Sequence, residues 1–239
     1  MDFDHLAIII PSYNESRNLA ILLADIADLY PNTRVCIVDD SLGQEKTEME
    51  KIVSSYPKKT HTLIQRSEKK GRGSAVMVGM RQALKEKSVR IFIEMDADLA
   101  HDPKEIVLLL SKIPPCDMVI GSRYLNKSVI INWPKKRLLQ SRLINYFLRY
   151  FLGIAITDYT NGFRAYSRRA AEYLVSIPIY ERGFITLSEI AYRLYRKGFR
   201  IGEVPTTFTD RKYGTSNAGI RELVVSLIGV ARIRFRRPI

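Results

Sequence analysis

Short apolar runs alternate with stretches of helical periodicity through the first half of the chain. The apolar runs have the length of buried strands and span residues 6–10, 35–38, 62–64, 89–95 and 118–120. Helical spacing of apolar residues is seen over 19–29, 45–55 and 73–87, and Pro103 is placed to begin a further helix. Strands that alternate with helices predict an α/β fold, with a mostly parallel sheet covered by helices on both faces.

The second half departs from this alternation. Its predicted elements are a long basic amphipathic helix over Lys135–Leu152, a returning strand over 163–166, a helix over 185–197 and a strand over 201–204. A polar loop is expected over 210–219, followed by an apolar run and several arginines. We therefore predict a single domain over residues 1–219 and a basic amphipathic tail over 220–239 that contacts a membrane or a partner.

Composition adds a prediction about partners. The chain has 239 residues, 46% of them hydrophobic, which is enough for one substantial core. Its net charge of +13 indicates an anionic partner, whether nucleic acid, a phosphorylated small molecule or an acidic membrane surface. The alternative is a solvated basic surface that serves solubility.

Cysteine usage and apolar length bear on the compartment. Cys36 lies in an apolar run, Cys116 follows two prolines, and no CxxC pair occurs, so we expect free thiols in a reducing compartment. The first residues do not resemble a signal peptide. The best apolar stretch, 143–157, contains Arg149 and is shorter than the roughly 20 residues of a membrane span. A cytoplasmic protein, peripheral at the cytoplasmic face of a membrane, is the expectation.

Polar residues follow four of the predicted strands at their carboxyl ends. They are residues 11–15, Asp39 with Asp40, Asp96 with Asp98, and residues 121–123. Ligands of open α/β sheets bind at this edge, so a cleft is expected there. Asp96 and Asp98 can hold Mg²⁺ or Mn²⁺, hard ions that prefer oxygen ligands and neutralise a pyrophosphate leaving group. The alternative is a surface turn, because D-x-D occurs often by chance.

Two common nucleotide-binding signatures are absent. Residues 11–18 lack the glycines that a dinucleotide-binding fold needs at its first strand–helix turn, and there is no P-loop. An enzyme that depends on NAD is therefore disfavoured. The aromatic stacking motifs of RNA readers are also absent, and an acidic cleft would repel nucleic acid, so no nucleic-acid partner is expected.

A series of short motifs runs in a characteristic order from about residue 8 to about residue 219. They are PSYNE, VDD, KKGRGSAV, MDADLAHDP, GSRY, WPKKRLLQSR, DYTNGFRAY, GEVP and FTDRKYGTSN. This order resembles family 2 glycosyltransferases with the GT-A fold, and more narrowly the dolichyl- and polyprenyl-phosphate mannose synthases. The resemblance implies inverting transfer of a hexose, above all mannose from GDP-mannose, to a dolichyl or polyprenyl phosphate.

The resemblance leaves two alternatives open and implies further partners. One alternative is a related transferase that uses a UDP-hexose with a polysaccharide or glycolipid acceptor. The other is a non-catalytic basic module at a membrane surface. Since some relatives carry transmembrane helices after the catalytic domain, the resemblance also implies a membrane surface and a possible small membrane-anchoring subunit as partners.

The same resemblance assigns roles to individual residues. The nucleoside would be held by Pro11, Tyr13, Glu15, Val38 and Asp40. Ribose, diphosphate and an Mg²⁺ or Mn²⁺ ion would be held by Asp96, Ala97 and Asp98, with the two aspartates as metal ligands. Arg123 would face the sugar or the acceptor phosphate, Arg137 and Ser141 would bind the lipid phosphate, and Arg211 would close over the donor diphosphate. The catalytic set would be Asp96, Asp98, Arg123 and Arg211.

These roles have simpler alternatives. Tyr13 can pack on the sheet edge, and Glu15 can complement the dipole of the helix that follows it. Arg137 and Ser141, four residues apart, can be ordinary surface residues of one helical face. For Glu189 the resemblance implies a buried or acceptor-facing role, and the alternative is a solvated helix face. The basic helix as a whole can lie at an anionic membrane surface or pack as a core helix with a solvated face.

Two positions depart from the family pattern. Many relatives carry a polar metal ligand where this chain has Ala100, so the metal would rely on Asp98, diphosphate and water, or on His101. Relatives also carry a lysine where this chain has Asn217, a change that Lys212 could offset. Both changes put metal preference and donor affinity in question.

Overall fold

The computed structural model describes residues 3–181, 183, 185–210 and 220–235. Its strands are β1 (Leu6–Ser12), β2 (Arg34–Asp39), β3 (His61–Gln65), β4 (Ile91–Glu94), β5 (Met118–Ser122), β6 (Val129–Ile131), β7 (Arg164–Ser167), β8 (Ile201–Pro205) and β9 (Thr207–Thr209). Its helices are α1 (Ser16–Leu29), α2 (Gly43–Ser54), α3 (Arg72–Ala83), α4 (Ile106–Leu110), α5 (Lys135–Leu152), α6 (Arg168–Ser176), α7 (Ile185–Arg196) and α8 (Ile220–Phe235). A single 3-10 turn, Pro103–Glu105, precedes α4.

The main sheet has the strand order β3-β2-β1-β4-β7-β5-β8. Neighbouring strands are parallel except at β7, which runs antiparallel to both β4 and β5. The other six strands therefore end at one edge of the sheet. Strands β6 and β9 form a separate parallel pair. The predicted α/β fold, a mostly parallel sheet flanked by helices, is confirmed.

Apolar side chains cover both faces of this sheet. One cluster joins α3, α5, α6, α7 and α8 to the sheet, and a second joins α1, α2 and α4 to its opposite face. Close approach is required where α3 crosses β1, since a Cβ at Gly79 would stand 2.5 Å from Ile9 Cγ2. Burial of these side chains is the main source of stability, at about 25 cal/mol per Å² of apolar surface removed from water.

Most elements match the sequence prediction to within a few residues at each end. The helix expected over 73–87 ends as α3 at Ala83, because the charged residues 85–87 have no apolar surface to bury before the chain turns into β4. The returning strand expected over 163–166 is β7, shifted by one residue. The basic helix has the predicted bounds, Lys135–Leu152.

Both cysteines are free, and burial raises the pKa of the Cys36 thiol to about 12.

Helix α8, within the predicted tail 220–239, packs against the domain through Val230 and Ile233, which belong to the same apolar cluster as α7. The boundary at residue 219 lies outside the described residues and stays a prediction.

Candidate active site

The ends of β1 and β2 are joined directly. The backbone N–H of Asp40 donates to the carbonyl of Ser12 at 3.0 Å, and the N–H of Asn14 donates to Ser41 Oγ at 2.8 Å. Asn14 has a positive φ of 58°, a conformation that asparagine tolerates better than most residues. The structure thus brings residues 11–15 and 39–41 together at one end of the sheet.

The residues assigned to the nucleoside fall into two groups. Pro11 and Val38 are buried and lie opposite each other on the paired strands β1 and β2. Any contact they make with a ligand would therefore come from backbone atoms or from the shape of the surface they form. Tyr13 is 42% exposed and its ring lies 3.8 Å from the Lys69 ammonium group, so it does not simply pack on the sheet edge. Glu15 accepts a hydrogen bond from Asn18 Nδ2 at 2.5 Å.

Asp40 anchors the loop between β3 and α3. Arg66 donates to both of its carboxylate oxygens, at 2.5 and 2.7 Å, and the N–H of Lys70 donates to it at 3.2 Å. Such a bidentate pair is among the stronger hydrogen-bonded contacts in proteins. The carboxylate of Asp40 therefore positions the loop that carries Lys69.

The acidic triplet follows β4 and is shaped by an arginine. Arg72 Nε donates to Asp96 Oδ1 at 2.7 Å, while Asp98 Oδ1 accepts from the N–H of Ala100 at 3.1 Å. Ala97 is buried, so its side chain faces the core while the two aspartates belong to the sheet edge.

His101 lies in the core. Its Nε2 donates to Asn161 Oδ1 at 2.8 Å, an assignment fixed because Asn161 Nδ2 donates to the carbonyl of Gly121. The ring stacks on Phe163 at a centroid distance of 5.1 Å. The ring is buried, and Nδ1 has no hydrogen-bond partner among the described residues, so the alternative of His101 as a replacement metal ligand stays a prediction.

Arg123 is held by a buried carboxylate. Its Nε and Nη2 donate to Asp158 at 2.7 and 2.8 Å, and Nη2 also donates to Thr160 Oγ1. Its guanidinium lies within 5.2 Å of the rings of Trp133 and Phe208. Burial alone would raise the pKa of Asp158, but the adjacent Arg123 guanidinium holds it below its usual value. The Arg123 guanidinium is thus paired with Asp158 in the structure. A contact of Arg123 with the sugar or the acceptor phosphate stays a prediction.

One turn connects the acidic edge to α5. Thr160 Oγ1 accepts from both Arg123 and Asn145 Nδ2 of α5, and Asn161 bonds Gly121 and His101. At its end, Gly162 lies against Asp96, since a Cβ there would stand 3.0 Å from Oδ2. The turn over residues 158–162 therefore brings the end of β4, the end of β5 and the middle of α5 into one region.

The two residues assigned to the lipid phosphate are both bonded. Arg137 Nη1 donates to Asp210 Oδ1 at 2.8 Å, and its guanidinium lies 4.2 Å from the Trp133 ring centroid. Ser141 Oγ accepts from the Tyr124 hydroxyl at 2.5 Å. They are not ordinary surface residues of a helical face. Arg211, Lys212 and Asn217 lie outside the described residues, so their assigned roles stay predictions.

The outer face of α5 is apolar and exposed. Its side chains at a spacing of three to four residues are Leu139, Leu143, Tyr146 and Tyr150, which are 60%, 59%, 73% and 83% exposed. Basic residues flank this stripe at Lys135, Lys136, Arg142 and Arg149. In the part of the chain that the structure describes, no helix combines the length and apolar character needed to cross a bilayer.

Two site-forming residues, Arg72 and Asp158, are not identifiable from the sequence, whereas Glu189 is a candidate whose burial the structure decides. Arg72 was visible only as the middle of Gly71-Arg72-Gly73, and Asp158 lies 35 residues from the arginine it pairs with. Glu189 is buried and its Oε2 accepts from the N–H groups of Tyr180 and Glu181, so the solvated alternative for Glu189 is wrong. Contacts of this kind leave no periodic signal in a sequence.

The donor set fits a hard divalent ion. Asp96 and Asp98 supply carboxylate oxygens, the ligands that Mg²⁺ and Mn²⁺ prefer. The described residues contain no cluster of three or more His, Cys, Asp or Glu side chains able to complete a site. A two-carboxylate site of this kind suits an ion that is shared with a diphosphate rather than held by protein alone.

Comparison with known proteins assigns the class. The sequence profile described as glycosyl transferase family 2 matches residues 7–175. The chain belongs to this family, and the predicted glycosyltransferase class is confirmed.

Among similar proteins are two transferases of lipid-linked mannose. The polyprenol monophosphomannose synthase of Mycolicibacterium smegmatis is 33% identical over 220 residues, which is 90% of this chain and 82% of that protein. The undecaprenyl-phosphate mannosyltransferase of Micrococcus luteus is 34% identical over 208 residues, which is 87% of this chain and 85% of that protein.

Solved structures confirm the fold. The glucosyl-3-phosphoglycerate synthase of Mycobacterium tuberculosis, in complex with Mn²⁺, UDP and glucosyl-3-phosphoglycerate, has a TM-score of 0.66 at 18% identity, covering 98% of this chain and 81% of that one. The same synthase with Mg²⁺ and UDP has a TM-score of 0.65 at 17% identity, covering 98% and 80%.

Proposed function

We propose that the protein transfers mannose from GDP-mannose to a polyprenyl or dolichyl phosphate, with inversion at the sugar carbon. The observation that carries the proposal is the juxtaposition, through the 158–162 turn, of the acidic edge at Asp96 with the basic and apolar helix α5. The carboxylates of the acidic edge can bind a metal ion together with the donor diphosphate. The basic and apolar side chains of α5 can bind a phosphate that is attached to a lipid. The names of the two similar mannose transferases support the same acceptor and sugar.

The acceptor chemistry fits a site without a strong general base. A phosphate monoester loses its second proton near pH 6, so the acceptor is already a nucleophilic anion at neutral pH. One of its oxygens forms the new bond to the anomeric carbon while the bond to the donor diphosphate breaks. The protein then has to orient two anions and stabilise the departing one.

The chain's residues divide this work in the proposal. Asp96 and Asp98 hold the Mg²⁺ or Mn²⁺ ion, which supplies charge neutralisation for the leaving diphosphate. Tyr13, after β1, receives the nucleoside together with Lys69, which lies on the loop that Asp40 anchors. Arg137, which lies beside Ser141 on α5, orients the acceptor phosphate, and Arg211 closes over the donor.

A panel of donors and acceptors tests the proposal. The protein is incubated with Mn²⁺ or Mg²⁺, dolichyl phosphate, and labelled GDP-mannose or UDP-hexoses, and the lipid extract is examined for a lipid-linked sugar. We expect mannosyl lipid from GDP-mannose. Because the two solved structures compared above contain UDP, the UDP arm is the informative competitor. No lipid-linked sugar from any donor would reject the acceptor class.

We also propose that the apolar stripe of α5 rests in the interface of an anionic membrane. Exposed tyrosines and leucines with flanking lysines and arginines are the composition of an interfacial amphipathic helix. This arrangement places the proposed phosphate site of α5 beside the lipid that carries the acceptor. A small membrane-anchoring subunit is not needed for this contact and stays a separate prediction.

Replacing both Tyr146 and Tyr150 with glutamate is expected to lower binding to phosphatidylserine-containing vesicles by at least about tenfold, because two large interfacial side chains are lost. Vesicle co-sedimentation measures the effect. The double variant Ile21→Glu with Val107→Glu adds the same two charges at 48% and 46% exposed positions on α1 and α4, at the opposite face of the sheet, and should bind as the parent protein does. Equal loss in both variants would assign the binding to net charge alone.

A further inference from the structure

Arg72 is built into the acidic edge. As the first residue of α3 it donates through Nε to Asp96 at 2.7 Å, through Nη1 to Glu94 Oε1, and through Nη2 to the carbonyl of Gly162 at 3.3 Å. The second oxygen of Glu94 accepts from the Tyr166 hydroxyl at 2.6 Å. The guanidinium therefore lies between a fully buried carboxylate and the first aspartate of the acidic triplet.

The surroundings are shaped to admit this side chain. A Cβ at Gly162 would stand 2.0 Å from Arg72 Nη2, so a glycine is needed at that point of the turn. A Cβ at Gly73 would stand 2.1 Å from Thr186 Cγ2, which shows that the start of α3 is packed tightly against α7. Close packing therefore surrounds both the backbone next to Arg72 and the turn beneath its guanidinium.

The pairing has an electrostatic consequence. Glu94 and Asp96 lie on either side of one guanidinium, whose planar fork fixes the orientation of a carboxylate as well as its charge. Of the two, Glu94 is buried and Asp96 has a side chain that is 30% exposed. The buried contact with Glu94 fixes the position of the Arg72 guanidinium. The guanidinium in turn fixes the orientation of the more exposed Asp96 carboxylate.

We infer that Arg72 is a positioning residue that orients the Asp96 carboxylate for the metal-bound diphosphate of the donor. The inference rests on the proposed function for its ligand. It assigns Arg72 no contact with the reacting atoms. A purely structural arginine, present only to neutralise Glu94, would leave nucleotide binding unaffected once the buried charge was removed.

Binding of GDP and UDP, measured by calorimetry with and without Mn²⁺, tests this. In Arg72→Met we expect both a loss of stability and an affinity for the Mn²⁺–nucleotide that is lower by about 10- to 100-fold, the usual cost of losing an outer partner of a metal ligand. Arg72→Lys keeps the positive charge but not the planar guanidinium. Its affinity for the Mn²⁺–nucleotide should lie between those of the parent protein and Arg72→Met.

The double variant Arg72→Met with Glu94→Gln separates the two roles. It removes the buried carboxylate that the single variant leaves uncompensated, so stability should recover while Mn²⁺–nucleotide affinity stays low. Arg168→Met is the stability control, because Arg168 donates to the carbonyls of Leu84, Glu86 and Val89 at the other end of the sheet. It should lose stability and bind the nucleotide normally.

The outcomes are distinct. Parent-like Mn²⁺–nucleotide affinity in the double variant would overturn the positioning role, even if Arg72→Met alone failed to fold. A parent protein that binds Mn²⁺–GDP but transfers no sugar would reject the proposed function and leave this inference standing. A parent protein that binds neither nucleotide with Mn²⁺ would overturn both.

Discussion

Asp98→Asn is expected to reduce sugar transfer by roughly 10²–10³-fold or more, the effect of losing one well-placed electrostatic group at a developing charge. The substitution keeps the size of the side chain and an oxygen able to accept from the N–H of Ala100. It removes the negative charge that would bind Mg²⁺ or Mn²⁺. Initial rates with saturating donor and acceptor, over a range of Mn²⁺ concentrations, measure the loss.

The loop that holds Asp98 supplies its own control. Asp102 lies four residues further on and accepts from the N–H of Lys104 at 2.9 Å, a capping contact that asparagine makes equally well. Asp102→Asn should therefore transfer sugar at the parent rate. Full activity in Asp98→Asn, or an equal loss in both variants, would contradict the metal role of Asp98.

Asp158→Ala is expected to lower the free energy of unfolding by about 3–5 kcal/mol, because it leaves the buried Arg123 guanidinium without its counter-charge. Urea unfolding at neutral pH measures the change. Glu48→Ala is the matched control, since it breaks the exposed Lys51–Glu48 pair and should cost less than about 1 kcal/mol. A similar loss in both variants would contradict the burial argument.

The same pair has a pH signature. The pKa of Asp158 is depressed in the folded protein, so its contribution to stability is present above the unfolded pKa of about 4 and is lost as pH falls through the lower folded value. The parent protein should lose stability more steeply below about pH 4 than Asp158→Ala does. Parallel pH profiles would show that the pair contributes no proton linkage.

The sequence was informative wherever a residue's role follows from its place in a repeating pattern. The buried strands β1 and β2 are continuous apolar runs, and α5 has a clear amphipathic spacing, so their positions could be predicted closely. Strand ends could be located for the same reason, which is why Asp96 and Asp98 were recognisable as candidate ligands.

Pairing between distant residues could not be predicted in this way. Asp158 and Arg123 are separated by 35 positions, and Arg72 reaches Asp96 across 24, with no period that links either pair. The sequence places His101 directly after the acidic segment, and only tertiary packing shows that its ring is buried against Phe163. Local sequence therefore located the ligand edge, and only the fold shows which side chains support it.

The antiparallel strand β7 also constrains the order in which the sheet can assemble during synthesis. Strands β4 and β5 are never neighbours, since β7 lies between them and is synthesised after both. Until residues 164–167 emerge from the ribosome, each of the two earlier strands has an edge of unsatisfied backbone groups, a template for pairing with other chains. Completing the centre of the sheet therefore requires a late, long-range closure, which slows folding relative to proteins built from local contacts.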